Sequence, residues 1–141
     1  MKIVITGGAG FLGFHLAHGL AKHELLLLDV APCIPSEVPS GAETVVADVR
    51  DRDALRAACQ GADVILHAAA ALPLWKPCEI RSVNLDGTRA VLEIARELKI
   101  PRVVHISSTA VYGIPDHHPL SENDRMIGVG PYGESKVAAE E

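Results

Sequence analysis

A glycine-rich segment at residues 6–13, with the sequence TGGAGFLG, constrains the fold of this chain more than any other feature. It directly follows a short apolar run at residues 2–5 that predicts a buried strand. It directly precedes an amphipathic stretch that predicts a helix. A turn between a strand and a helix N-terminus directs backbone N–H groups and the positive end of the helix dipole at one point. Because glycines let a phosphate approach that backbone closely, the segment predicts a dinucleotide-binding unit.

Two spacings of these glycines fit phosphate-binding patterns, Gly8-x-Gly10-x-x-Gly13 and Gly7-x-x-Gly10-x-x-Gly13. Either match alone also fits an ordinary tight loop. The pattern further predicts an acidic residue about 20 positions later, at the end of a second strand. Asp29 stands 21 positions after Gly8 and closes a run of four leucines. The two features together favour the dinucleotide interpretation.

The carboxylate of Asp29 would accept hydrogen bonds from both ribose hydroxyls of an adenosine and would repel a 2′-phosphate. The residues that follow it, VAPC, contain no arginine that could receive such a phosphate. We therefore predict NAD rather than NADP as the cofactor. The alternative, that Asp29 is an ordinary turn residue at a strand end, remains open at this point.

Length and charge exclude several classes of partner. The chain has 141 residues, 48% of them hydrophobic, and a formal net charge of −5. This length suits one domain that buries about two-thirds of its unfolded surface. The acidic balance argues against nucleic acid, because phosphate backbones need a basic face. Since no apolar run reaches the ~18 residues that cross a bilayer, and the chain starts directly in a predicted strand, we expect neither a membrane segment nor a signal peptide.

The cysteines and histidines do not form a metal pattern. Cys33, Cys59 and Cys78 are an odd number without metal-ligand spacing, so we expect free thiols in a reducing cytoplasm. His15 and His18 share a predicted helix face but lack further ligands. We therefore expect solvated histidines and no metal site.

Strand and helix patterns alternate along the chain. Short apolar runs without polar alternation predict strands at residues 2–6, 24–29, 43–47, 63–67 and 102–107. Helical patterns occur at residues 10–22, 52–59, 78–99 and from 131 onward, and Pro101 is expected to end the third helix. This alternation predicts an α/β fold with a doubly wound parallel sheet of order 3-2-1-4-5, the Rossmann arrangement. The cofactor would then lie across the carboxyl ends of the strands, where the first and fourth meet.

A candidate proton-transfer group comes later in the chain. Tyr132 and Lys136 are four residues apart at a predicted helix start, so they share one helix face. Phenols ordinarily ionise near pH ~10, and an adjacent ammonium and an oxidised nicotinamide would both favour the phenolate. The phenolate could then take a proton from a substrate hydroxyl while hydride leaves for the cofactor. The alternative is an ordinary pair on the helix surface, and the nucleotide-binding pattern favours the proton-transfer interpretation over it.

With these residues the chain resembles the N-terminal part of an extended short-chain dehydrogenase/reductase, in the NAD-dependent epimerase/dehydratase family. Seven matches occur in order: TGGAGFLG, Asp29, Asp48-Val49, the run HAAA at 67–70, NLDGT at 84–88, SSTAVYG at 107–113, and Tyr132-x-x-x-Lys136. The resemblance covers the chain from end to end.

The resemblance implies contacts with NAD along much of the chain. In order they are Gly7, Gly10, Phe11, Leu12 and Gly13 at the pyrophosphate, Asp29 at the adenosine ribose, Asp48 and Val49 at the adenine, Ala68, Ala69 and Ala70 along the second half of the cofactor, and Asn84, Tyr132 and Lys136 around the nicotinamide ribose. Two alternatives remain open: Asp48 could only cap the helix that follows it, and Asn84 could be a buried polar group of a helix.

The resemblance also implies a catalytic set. Ser108 lies four residues before the tyrosine of the V-Y-G motif, at the position of the catalytic Ser or Thr. Tyr132 would be the base and Lys136 its partner. Related sugar dehydratases carry an Asp-Glu pair directly after the catalytic Ser or Thr, whereas this chain has Thr109 and Ala110 there. Water elimination is therefore not expected.

Two enzymatic functions and one binding function remain after these comparisons. The first is a nucleotide-sugar epimerase or dehydrogenase that works through a transient 4-keto sugar. The second is a reductase of a non-sugar carbonyl, because the segment ALPLWKP at 71–77 is less typical of sugar epimerases. The third is a dinucleotide sensor without catalysis.

Family members are about twice as long as this chain. We therefore expect residues 1–141 to be a partial NAD-binding domain without the sixth strand and the substrate-binding domain. Such a chain should bind the cofactor weakly and turn over little or no substrate. The fifth strand should then be an exposed sheet edge. The resemblance implies a homodimer for the full-length protein.

Overall fold

A computed structural model describes all residues 1–141 of the chain. The chain divides into two compact units. The first comprises Met1–Ala69 and Gly87–Ile106, and the second comprises Ala70–Asp86 and Ser107–Glu141.

The first unit contains a five-stranded parallel sheet. Its strands are β1 Lys2–Thr6, β2 Glu24–Asp29, β3 Glu43–Val46, β4 Val64–His67 and β5 Arg102–His105. Their order is β3-β2-β1-β4-β5, which confirms the predicted doubly wound, Rossmann-like arrangement. The register places Thr6 at the end of β1 opposite Leu28 of β2 and opposite His67 of β4. As predicted, β5 is an edge strand of this sheet.

Both faces of the central strands are covered. Ile3, Ile5, Leu25 and Leu27 point to one face, where they form a core with Ala17 of the following helix. Because side chains alternate along a strand, Val4, Leu26 and Leu28 point to the opposite face, and they are equally buried. This explains why the strands are continuous apolar runs rather than alternating ones.

The chain forms five α-helices. They are α1 Phe11–Gly19, α2 Arg52–Cys59, α3 Pro77–Arg81, α4 Gly87–Glu97 and α5 Gly130–Glu140. The first ends three residues before the predicted boundary, directly after Gly19, which is a poor helix former. None of the helices combines the length and apolar content that a bilayer crossing requires.

Ion pairs and a side-chain cap support the second and fourth helices. Asp51 caps α2, and its Oδ1 accepts the backbone N–H groups of Asp53 and Ala54. The guanidinium of Arg56 on α2 binds Glu97 on α4 at 2.6 Å. Arg52 on α2 also binds Glu97, as well as Glu93 one turn earlier on α4.

The predicted helix at 78–99 is interrupted, contrary to expectation. A π-helical turn at Ser82–Asp86 separates α3 from α4. At its far end, α4 is terminated before Pro101 by Lys99, which has a positive φ of 56°. The N–H of Ile100 then bonds the carbonyl of Ala95 at 2.8 Å, a common helix-terminating arrangement.

The second unit consists of α3, the π-helical turn, a 3₁₀ turn at Thr109–Tyr112 and α5. The connection between the 3₁₀ turn and α5 folds back on itself. The carbonyl of Val111 accepts the N–H groups of both Ile127 and Gly128 at 2.9 Å. These bonds close the intervening segment as a loop and return the chain to the start of α5.

Candidate functional site

The glycine turn is too tightly packed for side chains. Gly7 has φ +76°, and a Cβ added to it would lie 2.8 Å from the Ala68 carbonyl carbon and from the Ala69 nitrogen. A Cβ on Gly13 would lie 2.1 Å from the carbonyl oxygen of Gly7. The N–H of Gly10 closes the turn on the same carbonyl at 3.1 Å. The glycines therefore keep a narrow backbone turn that fits the approach of a diphosphate.

The turn leads directly into the N-terminus of α1. Gly10 is the N-cap and has no side chain that could bond the first N–H groups of the helix. The first turn also contains no acidic residue. Phe11 and Leu12 expose 84% and 41% of their surface, so they do not bury this helix end. The first backbone donors of a helix have no partner within the helix, and here they remain suited to an anion.

The carboxylate of Asp29 lies beside this turn. Its Oδ2 accepts the N–H of Ala9 at 3.0 Å, and its Oδ1 accepts the N–H of Ala31 at 3.1 Å. Two hydrogen bonds fix the group at the end of β2, next to the turn. Each carboxylate oxygen has a second lone pair, so the group still has acceptor capacity for ribose hydroxyls.

Asp48 pairs with a neighbouring arginine. Its carboxylate accepts the backbone N–H of Arg50 at 2.8 Å and the Nε–H of the same residue at 2.9 Å. The side-chain bond from Arg50 is the main cause that lowers the pKa of Asp48 below its ordinary value, and burial of the carboxylate opposes it. Because Asp51 caps α2, the alternative in which Asp48 caps that helix is wrong.

Val49 and the alanines after β4 are placed differently from one another. Val49 is 4% exposed. Its Cγ2 lies 2.8 Å from the position that a Cβ on Gly87 would occupy. Ala68, Ala69 and Ala70 are half-buried. Contact of these residues with the adenine or with the second half of the cofactor stays a prediction.

Tyr132 and Lys136 lie on α5, as the sequence predicts. Tyr132 is half-buried, whereas Lys136 is only 3% exposed. Burial lowers the pKa of Lys136 from its ordinary value of 10.5, and the nearby carboxylate of Glu140 partly opposes this shift.

Ser108 begins the 3₁₀ turn that packs on α5. Its Oγ accepts the N–H of Ala110 at 3.2 Å, so it caps this turn. A Cβ on Gly133 would lie only 2.9 Å from the carbonyl oxygen of Ala110. The turn after Ser108 and the first turn of α5 therefore approach closely because residue 133, directly after Tyr132, is a glycine.

Asn84 is a central residue of the second unit. It lies in the π-helical turn, is 1% exposed, and accepts the N–H of Ala71 with its Oδ1 at 2.7 Å. Its Nδ2 donates to the Oγ of Ser135 at 3.0 Å, and that hydroxyl donates to the carbonyl of Tyr132 at 2.7 Å. These contacts match the alternative in which Asn84 is a buried polar group, while a contact with the nicotinamide ribose stays a prediction.

The two units thus divide the predicted site residues. The first contains the glycine turn, Asp29, Asp48, Val49, Ala68 and Ala69, and the second contains Ala70, Asn84, Ser108, Tyr132 and Lys136. Ser108, Tyr132 and Lys136 all belong to the second unit, where Ser108 caps the 3₁₀ turn that packs on α5 and the other two lie on α5 itself. No group of three or more His, Cys, Asp or Glu side chains is arranged to hold a metal ion.

Sequence reasoning missed several residues that support these sites. In the first unit, Thr6, His67 and Thr88 form a buried hydrogen-bond network beside the glycine turn. In the second unit, Ser135 and Gly133 hold the start of α5. The sequence contains information from which His67 and Thr88 could have been predicted. Each residue lies in a segment that carries the family resemblance, at a position that the predicted fold buries.

A family model described as the NAD dependent epimerase/dehydratase family matches residues 3–141. Among curated relatives, a putative UDP-glucose 4-epimerase of Methanocaldococcus jannaschii is 34% identical over 99% of this chain and 48% of its own length. The UDP-glucose 4-epimerase of Streptomyces lividans is 34% identical and is covered over 45% of its length. The chain thus spans about half the length of these relatives.

Solved structures agree with this match. A crystal structure of a UDP-galactose 4-epimerase superposes with a TM-score of 0.90 at 34% identity, over 99% of this chain and 49% of that one. The UDP-glucose-4-epimerase of Stenotrophomonas maltophila, solved with bound NAD and formylated UDP-arabinopyranose, superposes with a TM-score of 0.90 at 29% identity, over 99% and 46% of the two chains.

Proposed function

Because the chain belongs to the NAD dependent epimerase/dehydratase family, we propose that it binds NAD through the glycine turn at the N-terminus of α1. The observation that carries this proposal is the packing of the turn, in which a Cβ on Gly13 would lie 2.1 Å from the Gly7 oxygen. The fixed carboxylate of Asp29 supports NAD rather than NADP, because it would repel a 2′-phosphate.

We further propose that α5 carries the proton-transfer group. Bound NAD supplies the hydride acceptor. Tyr132 takes the proton from a substrate hydroxyl, and Ser108 holds the same substrate oxygen by a hydrogen bond. Lys136, buried one helical turn away on α5, is the proposed partner of Tyr132. Support for this assignment comes from the spacing of the two residues on α5 and from the close packing of the Ser108 turn on that helix.

The proposed substrate is a nucleotide sugar, and the proposed reaction is epimerisation or dehydrogenation through a transient 4-keto sugar. The similarity to UDP-glucose 4-epimerases over nearly the whole chain supports this class. Dehydration is not proposed, because Thr109 and Ala110 supply no carboxylate after Ser108.

A reductase of a non-sugar carbonyl is the second candidate. The observation that favours it is the exposed apolar segment after Ala71, in which Leu72, Leu74 and Trp75 are 58%, 96% and 47% exposed. Such side chains suit an apolar substrate better than a sugar. A dinucleotide sensor without catalysis is the third candidate, and the presence of Ser108, Tyr132 and Lys136 argues against it.

Two assays separate these functions. Equilibrium titration of the chain with NAD and NADP should show tighter binding of NAD by at least about tenfold, since like charges in contact are costly. In the protein as expressed from its gene, Tyr132→Phe should abolish turnover of a UDP-hexose while NAD affinity is nearly retained. NAD binding without turnover in the unaltered protein would favour the sensor, unchanged turnover in Tyr132→Phe would contradict the role of Tyr132, and turnover of apolar ketones alone would favour the reductase.

We also propose a location for this protein. The three cysteines form no disulfide, which supports a reducing compartment such as the cytoplasm. The homodimer stays a prediction.

A further inference from the structure

A buried imidazole lies where the glycine turn meets the fourth strand. His67 is 1% exposed and stands at the end of β4, opposite Thr6 at the end of β1. Its Nδ1 is 2.7 Å from the Oγ1 of Thr6, and its Nε2 is 3.0 Å from the Oγ1 of Thr88 on α4. The ring therefore links two strands and one helix of the first unit, with a hydroxyl at each nitrogen.

The hydrogen bonds of Thr6 determine which nitrogen of His67 carries the hydrogen. The Oγ1 of Thr6 already accepts the N–H of Ala69 at 3.3 Å. Thr6 is fully buried, so its hydroxyl hydrogen also needs an acceptor, and the Nδ1 of His67 is the acceptor in reach. The ring hydrogen is then on Nε2, which donates to Thr88. The opposite tautomer or a doubly protonated ring would leave the hydroxyl hydrogen of Thr6 without an acceptor.

A second imidazole lies against the first. The ring centroid of His105 on β5 is 5.4 Å from that of His67, with the planes tilted by 36°. Two imidazolium rings at this distance would repel each other in the interior. The neutral state of His67 that the hydrogen bonds require also avoids this repulsion.

The network acts on the glycine turn through one peptide. Thr6 directly precedes Gly7, and the Ala68–Ala69 peptide lies so close to Gly7 that a Cβ there would be 2.8 Å from it. The N–H of Ala68 bonds the carbonyl of Thr6 at 3.1 Å, and the N–H of Ala69 bonds its hydroxyl. Thr6 thus binds both N–H groups of the segment that packs against the turn.

We propose that His67 is a positioning residue for the dinucleotide site. As the neutral Nε2–H tautomer, it fixes the hydroxyl of Thr6 and thereby the Ala68–Ala69 peptide against the Gly7 turn. The inference rests on the NAD binding proposed above. His67 itself does not contact the cofactor; it raises affinity because it holds the turn in its binding shape before the ligand arrives.

The first test measures the tautomer and needs no ligand. The ring nitrogens of the ¹⁵N-histidine-labelled chain are assigned by NMR near pH 7. We expect the His67 signals of a neutral ring with the hydrogen on Nε2. A hydrogen on Nδ1, or on both nitrogens, would overturn the inference.

The second test measures the effect on NAD affinity. Thr6→Val keeps the shape of the side chain but removes the hydroxyl, so the NAD dissociation constant should rise about tenfold. Thr6→Ser restores the hydroxyl and should restore the affinity to near that of the unaltered chain. Thr44→Val, at an exposed position of β3, is the matched control and should not change the affinity.

The outcomes distinguish this inference from the proposed function. Equal NAD affinity in Thr6→Val and the unaltered chain would overturn the role of His67 and leave the proposed function intact. Failure of the unaltered chain to bind NAD would overturn both. If Thr6→Val does not fold, Thr88→Val, which removes the acceptor at Nε2, replaces it with the same expected loss of affinity.

Discussion

The side-chain amide of Asn84 donates a hydrogen bond to the hydroxyl of Ser135 at 3.0 Å, and both side chains are buried. Ser135 lies on α5, directly before Lys136. The bond connects the π-helical turn to the helix that carries the proposed proton-transfer group. Because Asn84 also binds the backbone of Ala71 on both its N–H and its carbonyl, one side chain holds three parts of the second unit.

Replacing Asn84 should destabilise the fold. Asn84→Ala removes the amide that binds the N–H and the carbonyl of Ala71, and each buried polar group left unpaired costs about 1–3 kcal/mol. The hydroxyl of Ser135 loses its donor but keeps its own bond to the carbonyl of Tyr132. Urea unfolding of the chain measures the loss. Asn123→Ala, at an exposed position, is the control and should unfold like the unaltered chain. Equal stability of both variants would contradict the role assigned to Asn84.

Gly133→Ala should separate the Ser108 turn from α5. The added Cβ would lie 2.9 Å from the oxygen of Ala110 and 3.3 Å from the backbone of Gly128, so one of these segments has to move. We expect a loss of about 1–3 kcal/mol of stability, typical of overpacking, and a lower kcat in the protein as expressed from its gene. Glu134→Ala, at the next and exposed position, should leave both quantities nearly unchanged. An active and stable Gly133→Ala protein would show that the close approach is not required.

Lys136→Met should stabilise the fold and abolish turnover. Burial lowers the pKa of Lys136, because the folded state disfavours the ammonium. The buried ammonium therefore reduces the free energy of unfolding, and this reduction is complete below the folded pKa. As the pH rises towards the ordinary value of 10.5, the unfolded chain also loses its proton and the advantage of Met disappears. Urea unfolding between pH 7 and the alkaline limit of the fold tests this, with the exposed Lys22→Met as the control. A large loss of stability in Lys136→Met at pH 7 would contradict it.

The loop between the 3₁₀ turn and α5 should be most ordered in mildly acidic solution. The imidazole of His117 bonds Asp116 at 2.7 Å and Asp124 at 3.2 Å. The bond with Asp116 is the main cause that raises the pKa of His117 above 6.5. Protonated His117 therefore stabilises the loop fully below pH 6.5, and this stabilisation is lost as the pH rises through the folded pKa.

The carboxylates set the acid limit of the same loop. The bond from the Ser121 N–H is the main cause that lowers the pKa of Asp124 below 3.8. Ionised Asp124 therefore stabilises the loop fully above pH 3.8, and this stabilisation is lost as the pH falls through the folded pKa. Amide exchange of this loop should therefore be slowest between about pH 4 and 6.5, after correction for intrinsic rates. His117→Gln should remove the loss on the alkaline side, and a pH-independent loop in the unaltered chain would contradict the prediction.

The sequence predicts most of the sheet because its strands are apolar runs that end at turn residues. The bounds of β1 and β2 are predicted to the residue, and the others to within two residues. The π-helical turn is not predictable in this way. It depends on the bonds of Asn84 to Ala71 and Ser135, 13 and 51 positions away, which no local pattern contains.

The candidate site shows the same division. The glycine turn, Asp29 and the Tyr132–Lys136 pair are local patterns, and the structure places each on the predicted element. The network of Thr6, His67 and Thr88 is not local, because it joins residues that are 61 and 21 positions apart. Which polar groups meet in the interior is decided by the packing of the whole unit rather than by any segment.

Two glycines on the same helix test the central claim most directly. Gly13 and Gly19 both lie on α1, but a Cβ on Gly13 would be 2.1 Å from the Gly7 oxygen, whereas a Cβ on Gly19 would meet nothing within 4 Å. Equilibrium titration with NAD compares Gly13→Ala with Gly19→Ala. We expect Gly13→Ala to lose measurable NAD binding and Gly19→Ala to bind like the unaltered chain. A folded Gly13→Ala chain that binds NAD with unchanged affinity would contradict the claim that this turn holds the diphosphate.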